Sequence, residues 1–157
     1  MGRQIRDELV VEVAVEIRAF QTAVDALDEA VADRLGINRT DLRCLDLLER
    51  HGPMTAGELA TASGLTTGAV TRLLDRVERI GYAQRVRDRA DRRRVLVQLT
   101  PLARDRAEEL YGPIAKAGHT GLTRYTADQL KLLRDFLRGA RMLHEQRADR
   151  LRAQPNE

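Results

Sequence analysis

The chain has 157 residues, 43% apolar and 32% charged, with a net charge of +3; that is enough for one globular unit with its own core, and it fits neither a disordered acidic tail nor a membrane protein. No apolar run approaches the roughly 20 residues that span a bilayer, and the N-terminal Met-Gly-Arg-Gln-Ile-Arg-Asp-Glu carries acidic residues and no apolar signal core, so a cytoplasmic location is expected. A single cysteine, Cys44, excludes an intrachain disulfide framework, and His51, His119 and His144 lie too far apart for a local metal motif, so neither metal nor cofactor is expected.

From Ile5 to about Leu35, apolar residues recur in steps of three and four (Ile5, Leu9, Val13, Ile17, Phe20, Val24, Leu27, Val31), which predicts one long amphipathic helix. Gly36 and Ile37-Asn38-Arg39 break it. Thr40 is then the expected cap of a second helix with Leu42, Leu45 and Leu48 inward, ended by His51-Gly52-Pro53. Thr55-Ala56-Gly57-Glu58 is a capping box, a hydroxyl and a carboxylate that satisfy two free N–H groups at a helix start. It opens a short third helix, Ala56 to Ala62. Ser63-Gly64-Leu65 predicts a tight turn, after which Thr66 or Thr67 starts a fourth helix that runs to Ile80 and stops at Gly81. Two short helices around a glycine turn make a helix-turn-helix.

Tyr82 to Arg87 and Arg94 to Leu99 read as strands around the charged loop Asp88-Arg89-Ala90-Asp91-Arg92-Arg93, the pattern of a wing. Thr100-Pro101 supplies a cap and a first-turn proline for a fifth helix, with a kink expected at Gly112-Pro113. A second capping box, Thr126-Ala127-Asp128-Gln129, opens a last helix with Leu130, Leu133, Phe136, Leu137, Ala140 and Leu143 in one stripe. Fraying is expected from Arg147 on, where the apolar pattern is lost. The fold class is therefore mainly α with a small β-hairpin wing (α+β), a winged helix-turn-helix. The expected division is a winged head at 40–100, flanked by helical dimerisation regions at 5–37 and 101–150.

Charge is unevenly spread. Between Thr66 and Arg94 nine arginines stand against four acidic residues, a local excess of five positive charges, so the rest of the chain carries a net −2. A basic segment in an otherwise slightly acidic chain is the footprint of a face that meets a polyanion.

Several segments, in this order, are similar to the MarR family of bacterial regulators: 45–49 (LDLLE), 55–60 (TAGELA), 70–82 (VTRLLDRVERIGY), and Asp91-Arg92-Arg93 leading to Val97-Gln98-Leu99-Thr100-Pro101. The resemblance spans nearly the whole chain. It implies a DNA-binding transcription regulator, by family expectation a repressor, that forms a homodimer through its first helix and its last two. A long first helix and the Leu130–Leu143 stripe bury poorly against so small a head, which points to the same dimer independently. Double-stranded DNA and a second copy are the partners implied. The family commonly takes small anionic or aromatic effectors; with no tryptophan and few aromatics, the sequence nominates no residues for one.

The second helix of a helix-turn-helix turns its N-terminal residues toward base edges in the major groove, which here selects Thr66, Thr67, Thr71, Arg72 and Arg76. Arg72 and Arg76 are one turn apart, and arginine can contact guanine O6 and N7 together. The bland alternative is a solvated face neutralised by Asp75 and Glu78 on neighbouring turns, and capping alone accounts for Thr66 or Thr67. In the wing, Arg89, Arg92, Arg93 and Arg94 are candidates for the narrow minor groove. The resemblance favours Arg93 as the tip residue, and Asp91 is expected to orient an arginine rather than touch DNA. Cys44 reads as a buried small hydrophobe. Two rival readings compete. A winged-helix protein-interaction module would not need the arginine-rich wing. An enzyme would need a phosphate loop, metal spacing or nucleophile signature, and none is present.

Overall fold

The computed structural model describes residues 2–154 and divides the chain into two compact units, Met1–Leu110 and Tyr111–Glu157. The first unit holds helices α1 (Gly2–Leu35), α2 (Arg39–His51), α3 (Ala56–Ser63) and α4 (Thr67–Ile80), strands β1 (Ala83–Arg87) and β2 (Val95–Leu99), and the start of α5 (Pro101–Leu122); α6 (Ala127–Ala153) lies in the second. This order of helices around one antiparallel hairpin is a winged helix-turn-helix, mainly α as expected.

The core of the first unit sits where α2, α3, α4 and the hairpin meet. Leu45 and Leu48 of α2, Leu59 of α3, Val70, Leu74 and Val77 of α4, and Val97 and Leu99 of β2 are all buried there. Among the described residues of helix α1, Val31 and Ala32 from its last turns are buried there, while Ile5, Leu9, Val13 and Phe20 remain exposed. Tyr82 fixes the end of α1 to the head, its ring buried and its hydroxyl donating to the Leu35 carbonyl at 3.2 Å.

Helix α2 differs from expectation at its start. Asn38, not Thr40, is the cap: its side-chain oxygen accepts from the Asp41 N–H at 2.9 Å, and the Asp41 carboxylate accepts in return from the Asn38 N–H at 3.4 Å. Asn38 takes extended backbone angles that turn its amide oxygen onto the free N–H groups. Arg39 then ties this first turn to α1 through Asp28 (2.8 Å), Asp25 (3.3 Å) and Glu29 (3.8 Å).

The hairpin is antiparallel, Ala83 facing Leu99 and Arg87 facing Val95. A single residue extends it, because Met54 exchanges both backbone hydrogen bonds with Val97, at 3.0 and 2.7 Å. Thr100 closes its base. The Thr100 hydroxyl donates to the Gly81 carbonyl at 2.6 Å and accepts from the Ala103 N–H at 3.2 Å, so one side chain joins the end of α4 to the start of α5. Gly81 itself takes φ +92, a left-handed angle that lets α4 end and the chain turn at once into the strand.

In the second unit, the remainder of α5 connects to α6 through a short turn. Thr126 caps α6 with a capping box to Gln129, as its spacing predicts. Pro113 lies inside α5, which continues to Leu122. Helix α6 does not fray at Arg147 but runs to Ala153; ion pairs one turn apart, Arg141–Glu145 and Arg152–Asp149, support it where apolar residues give out. No side chain of α5 or α6 is buried. Among the described residues no helix is long and apolar enough to cross a membrane.

Candidate nucleic-acid interface

The helix-turn-helix is set by three local devices. Thr55 and Glu58 form the reciprocal box that opens α3, the hydroxyl accepting from the Glu58 N–H at 3.2 Å and the carboxylate accepting from the Thr55 N–H at 2.7 Å. Gly64 ends α3 in the left-handed region at φ 71, and its N–H and that of Leu65 return to the last carbonyls of the helix. Thr66 then caps α4, its hydroxyl oxygen accepting from the Ala69 N–H at 3.2 Å. An arginine of α2 reinforces the turn, since Arg43 donates to the Ser63 carbonyl.

These devices leave the N-terminal half of α4 facing solvent. Thr67, Thr71 and Arg72 are exposed while Val70, Leu73 and Leu74 face the core. The Thr71 hydroxyl donates to the Thr67 carbonyl at 3.0 Å, which leaves its oxygen free to accept. Among the described residues Arg72 has no ion pair and no side-chain hydrogen bond.

Arg76, grouped with Arg72 by spacing, is held differently. Its Nε donates to Asp41 Oδ2 at 2.8 Å and its Nη2 to Asp41 Oδ1 at 2.5 Å, a two-pronged pair with a carboxylate that is fully buried. The Arg76 side chain is 42% exposed, yet its guanidinium is engaged with α2. Those hydrogen bonds raise its affinity for the proton still further. The acids expected to neutralise α4, Asp75 and Glu78, instead both accept from Arg85 of β1, Asp75 at 3.0 Å.

The wing loop is ordered by its own carboxylates. Asp88 Oδ1 accepts from the Ala90 N–H at 2.9 Å, and Asp91 Oδ1 accepts from the Arg93 N–H at 3.0 Å. Asp91 thus orients the backbone of Arg93 rather than a guanidinium. Arg94 turns back to the head and pairs with Glu58 at 2.8 Å and Asp88 at 3.9 Å. Arg89, Arg92 and Arg93 are exposed and, among the described residues, carry no ion pair. Hydrogen bonds from the Thr55 N–H and hydroxyl, with Arg94 adding a smaller pull, hold Glu58 below its ordinary value of 4.5.

The nine arginines of this segment therefore divide by partner. Arg76, Arg85 and Arg94 pair with Asp41, with Asp75 and Glu78, and with Glu58, whereas Arg72 and Arg79 on α4, Arg87 at the end of β1, and Arg89, Arg92 and Arg93 in the wing are exposed and carry no ion pair among the described residues. Asp41 is a residue that sequence reasoning passes over, because Thr40 and Asn38 both offer capping side chains and only the Asn38-to-Asp41 spacing marks the pair. Cys44 is buried, and burial pushes its thiol above the ordinary value of 9.0, with Arg43 and a hydrogen bond from Ser63 opposing and Asp41 adding to the rise. Burial of this kind favours the protonated thiol.

Residues 37–95 match the sequence profile of the MarR family. The chain is 35% identical to YcgE of Bacillus subtilis (strain 168), an uncharacterized HTH-type transcriptional regulator, over 96% of this chain and 97% of the relative. It is 32% identical to the multiple antibiotic resistance protein MarR of Salmonella typhimurium, over 66% of this chain and 73% of the relative. Its fold is similar to that of a mutant MarR from E. coli complexed with operator DNA, with a TM-score of 0.52 at 25% identity, covering 83% of this chain and 94% of the other.

Proposed function

The chain belongs to the MarR family of transcriptional regulators, and from that premise we propose that it binds duplex DNA sequence-specifically, as a homodimer, on a near-palindromic operator, and represses by occupying it. The observation that carries the reading is the set of uncommitted guanidinium groups. Arg72 projects from the exposed side of a capped helix-turn-helix, and Arg89, Arg92 and Arg93 crowd a loop whose backbone is held by Asp88 and Asp91. One group suits base edges in the major groove and the other the negative potential of a narrow minor groove. A protein-interaction module would not need so arginine-rich a wing, and the family is one of regulators rather than enzymes.

The second copy is supported by the exposed apolar residues of the terminal helices, such as Val13 and Phe20 in α1 and Phe136, Leu137 and Leu143 in α6. Patches of this kind on a soluble chain mark an interface. Two-fold symmetry would repeat α4 about 34–36 Å away, one turn of duplex, and so call for an inverted repeat. An effector would release the dimer only by binding its two states with different affinity.

Selection of bound duplexes from a random library tests the reading. Enrichment of an inverted repeat, with affinity that falls steeply as salt rises, is the expected outcome. Recovery of unenriched sequence with only weak, salt-sensitive binding would reject it.

A further inference from the structure

Resting on the DNA-reading role proposed above, we infer that Asp41, together with Arg76, is a positioning pair that aims the reading helix, and that Arg76 is not itself a reader of bases. The geometry is specific. Asp41 is fully buried at the third position of α2, and its carboxylate serves two elements: one oxygen accepts from the Asn38 N–H and from Arg76 Nε, the other from Arg76 Nη2.

A flat guanidinium held by two parallel bonds to a carboxylate has its plane and direction fixed. Arg76 sits beyond the middle of α4, so the pair locks the rotation of that helix about its axis. Arg72 lies one turn earlier on the same face, and its direction follows from that rotation.

The platform beneath the pair is itself braced. Asn38 caps α2, and Arg39, two residues before Asp41, is tied to Asp25, Asp28 and Glu29 of α1. Asp41 therefore stands at a node between α1, α2 and α4. A buried carboxylate is costly unless it is paired and hydrogen-bonded, so the surroundings hold Arg76 here more firmly than a surface ion pair would. Were Arg76 to swing out to a base, it would leave that carboxylate without its cation.

The test uses the full chain, a duplex chosen by library selection and a shuffled duplex of the same composition. Asp41→Asn, Arg76→Gln and the double variant are titrated with both across a range of salt. Each single variant is expected to reduce the preference for the selected duplex about tenfold, comparable to one mismatched base pair. The double variant is expected to be no worse than either single, and the salt slope to stay as in the wild type, because no phosphate contact is lost.

If Asp41→Asn discriminated like the wild type while Arg76→Gln lost preference at one base position or lowered the salt slope, Arg76 would touch DNA and the inference would be wrong. A second measurement does not depend on the variants folding. In the wild type, the Arg76 Nε–H observed by NMR is expected to be protected from solvent exchange both free and on the selected duplex; loss of that protection on binding would overturn the positioning role. A wild type that did not prefer either duplex would instead sink the DNA-reading function, and the positioning role with it. The two failures are thus distinguishable.

Discussion

Helix α4 and helix α6 each carry an apolar stripe at helical spacing, but only one of them is covered. In α4, Val70, Leu73, Leu74 and Val77 are at most 2% exposed, while in α6 Leu130, Leu133, Phe136, Leu137 and Leu143 range from 36% to 66%. The head folds around its own residues; the terminal helix exposes a face of the same chemistry to solvent. Periodicity tells which face of a helix is apolar, and the tertiary structure tells whether this chain or another supplies the cover. The same lesson applies to charge: Arg72 and Arg76 are neighbours on one face, yet Arg76 is paired with a buried carboxylate 35 residues away.

The sharpest way to break the contrast between covered and uncovered stripes is to charge the uncovered one. Phe136→Glu with Leu137→Glu is expected to weaken self-association by several kcal/mol, at about 1.5–3 kcal/mol for each large apolar side chain that an interface would bury. Sedimentation at matched concentration checks it: the sedimenting mass should fall to that of one chain. An unchanged mass would mean that this stripe meets no second copy.

The covered stripe should respond in stability. Leu74→Ala in α4 is expected to cost about 2–5 kcal/mol through lost burial and a residual cavity, read from urea unfolding. A cost as small as that of a surface substitution would contradict the packing described for the head.

Next in size are the uncommitted arginines. Arg72→Ala is expected to lose about 1–3 kcal/mol of discrimination at one base position, whereas Arg93→Ala should weaken binding to all duplexes and flatten the salt dependence. Binding assays with a selected site and single-base variants of it distinguish the two patterns. If Arg72→Ala weakened all duplexes equally, its assignment to base edges would fail.

Smaller effects are expected at the cap of α3. Thr55→Ala removes the hydroxyl that accepts from the Glu58 N–H and should cost about 1 kcal/mol. Glu58 adds a dependence on pH. Its folded value lies below the ordinary 4.5 because of hydrogen bonds from Thr55, so its contribution is complete above the unfolded value and is lost as pH falls through the folded one. The melting temperature of the wild type relative to Glu58→Gln should therefore decline as pH is lowered below about 4.5; a constant difference would remove Glu58 from the box.

Much of the fold is legible in the sequence because its signals are local. Thr55 with Glu58, Thr126 with Gln129, and the glycines at 64 and 81 each satisfy free N–H or carbonyl groups within a few residues, and the structure places α3, α6 and the end of α4 accordingly. The start of α2 is less legible, because Thr40 and Asn38 both have capping side chains and only the spacing from Asn38 to Asp41 separates them. The full length of α6 is hidden because apolar periodicity is silent where ion pairs sustain a helix. The Met54 bridge to Val97 is a single residue and leaves no pattern.

At the candidate interface, composition identifies the basic segment but not the division within it. Which arginines are engaged depends on contacts between distant parts of the chain: Arg76 with Asp41, Arg85 with Asp75 and Glu78, Arg94 with Glu58. Charge counting cannot supply those pairings, since it carries no register between elements.

The central claim, a sequence reader with free arginines aimed at duplex DNA, is tested most directly by titrating the chain against a library-selected duplex and its shuffled counterpart at several salt concentrations. The expected result is a preference of about a thousandfold or more for the selected duplex, the lower end of specific recognition, on top of a steep loss of affinity with salt for both. Equal affinity for the two duplexes at every salt concentration would contradict it.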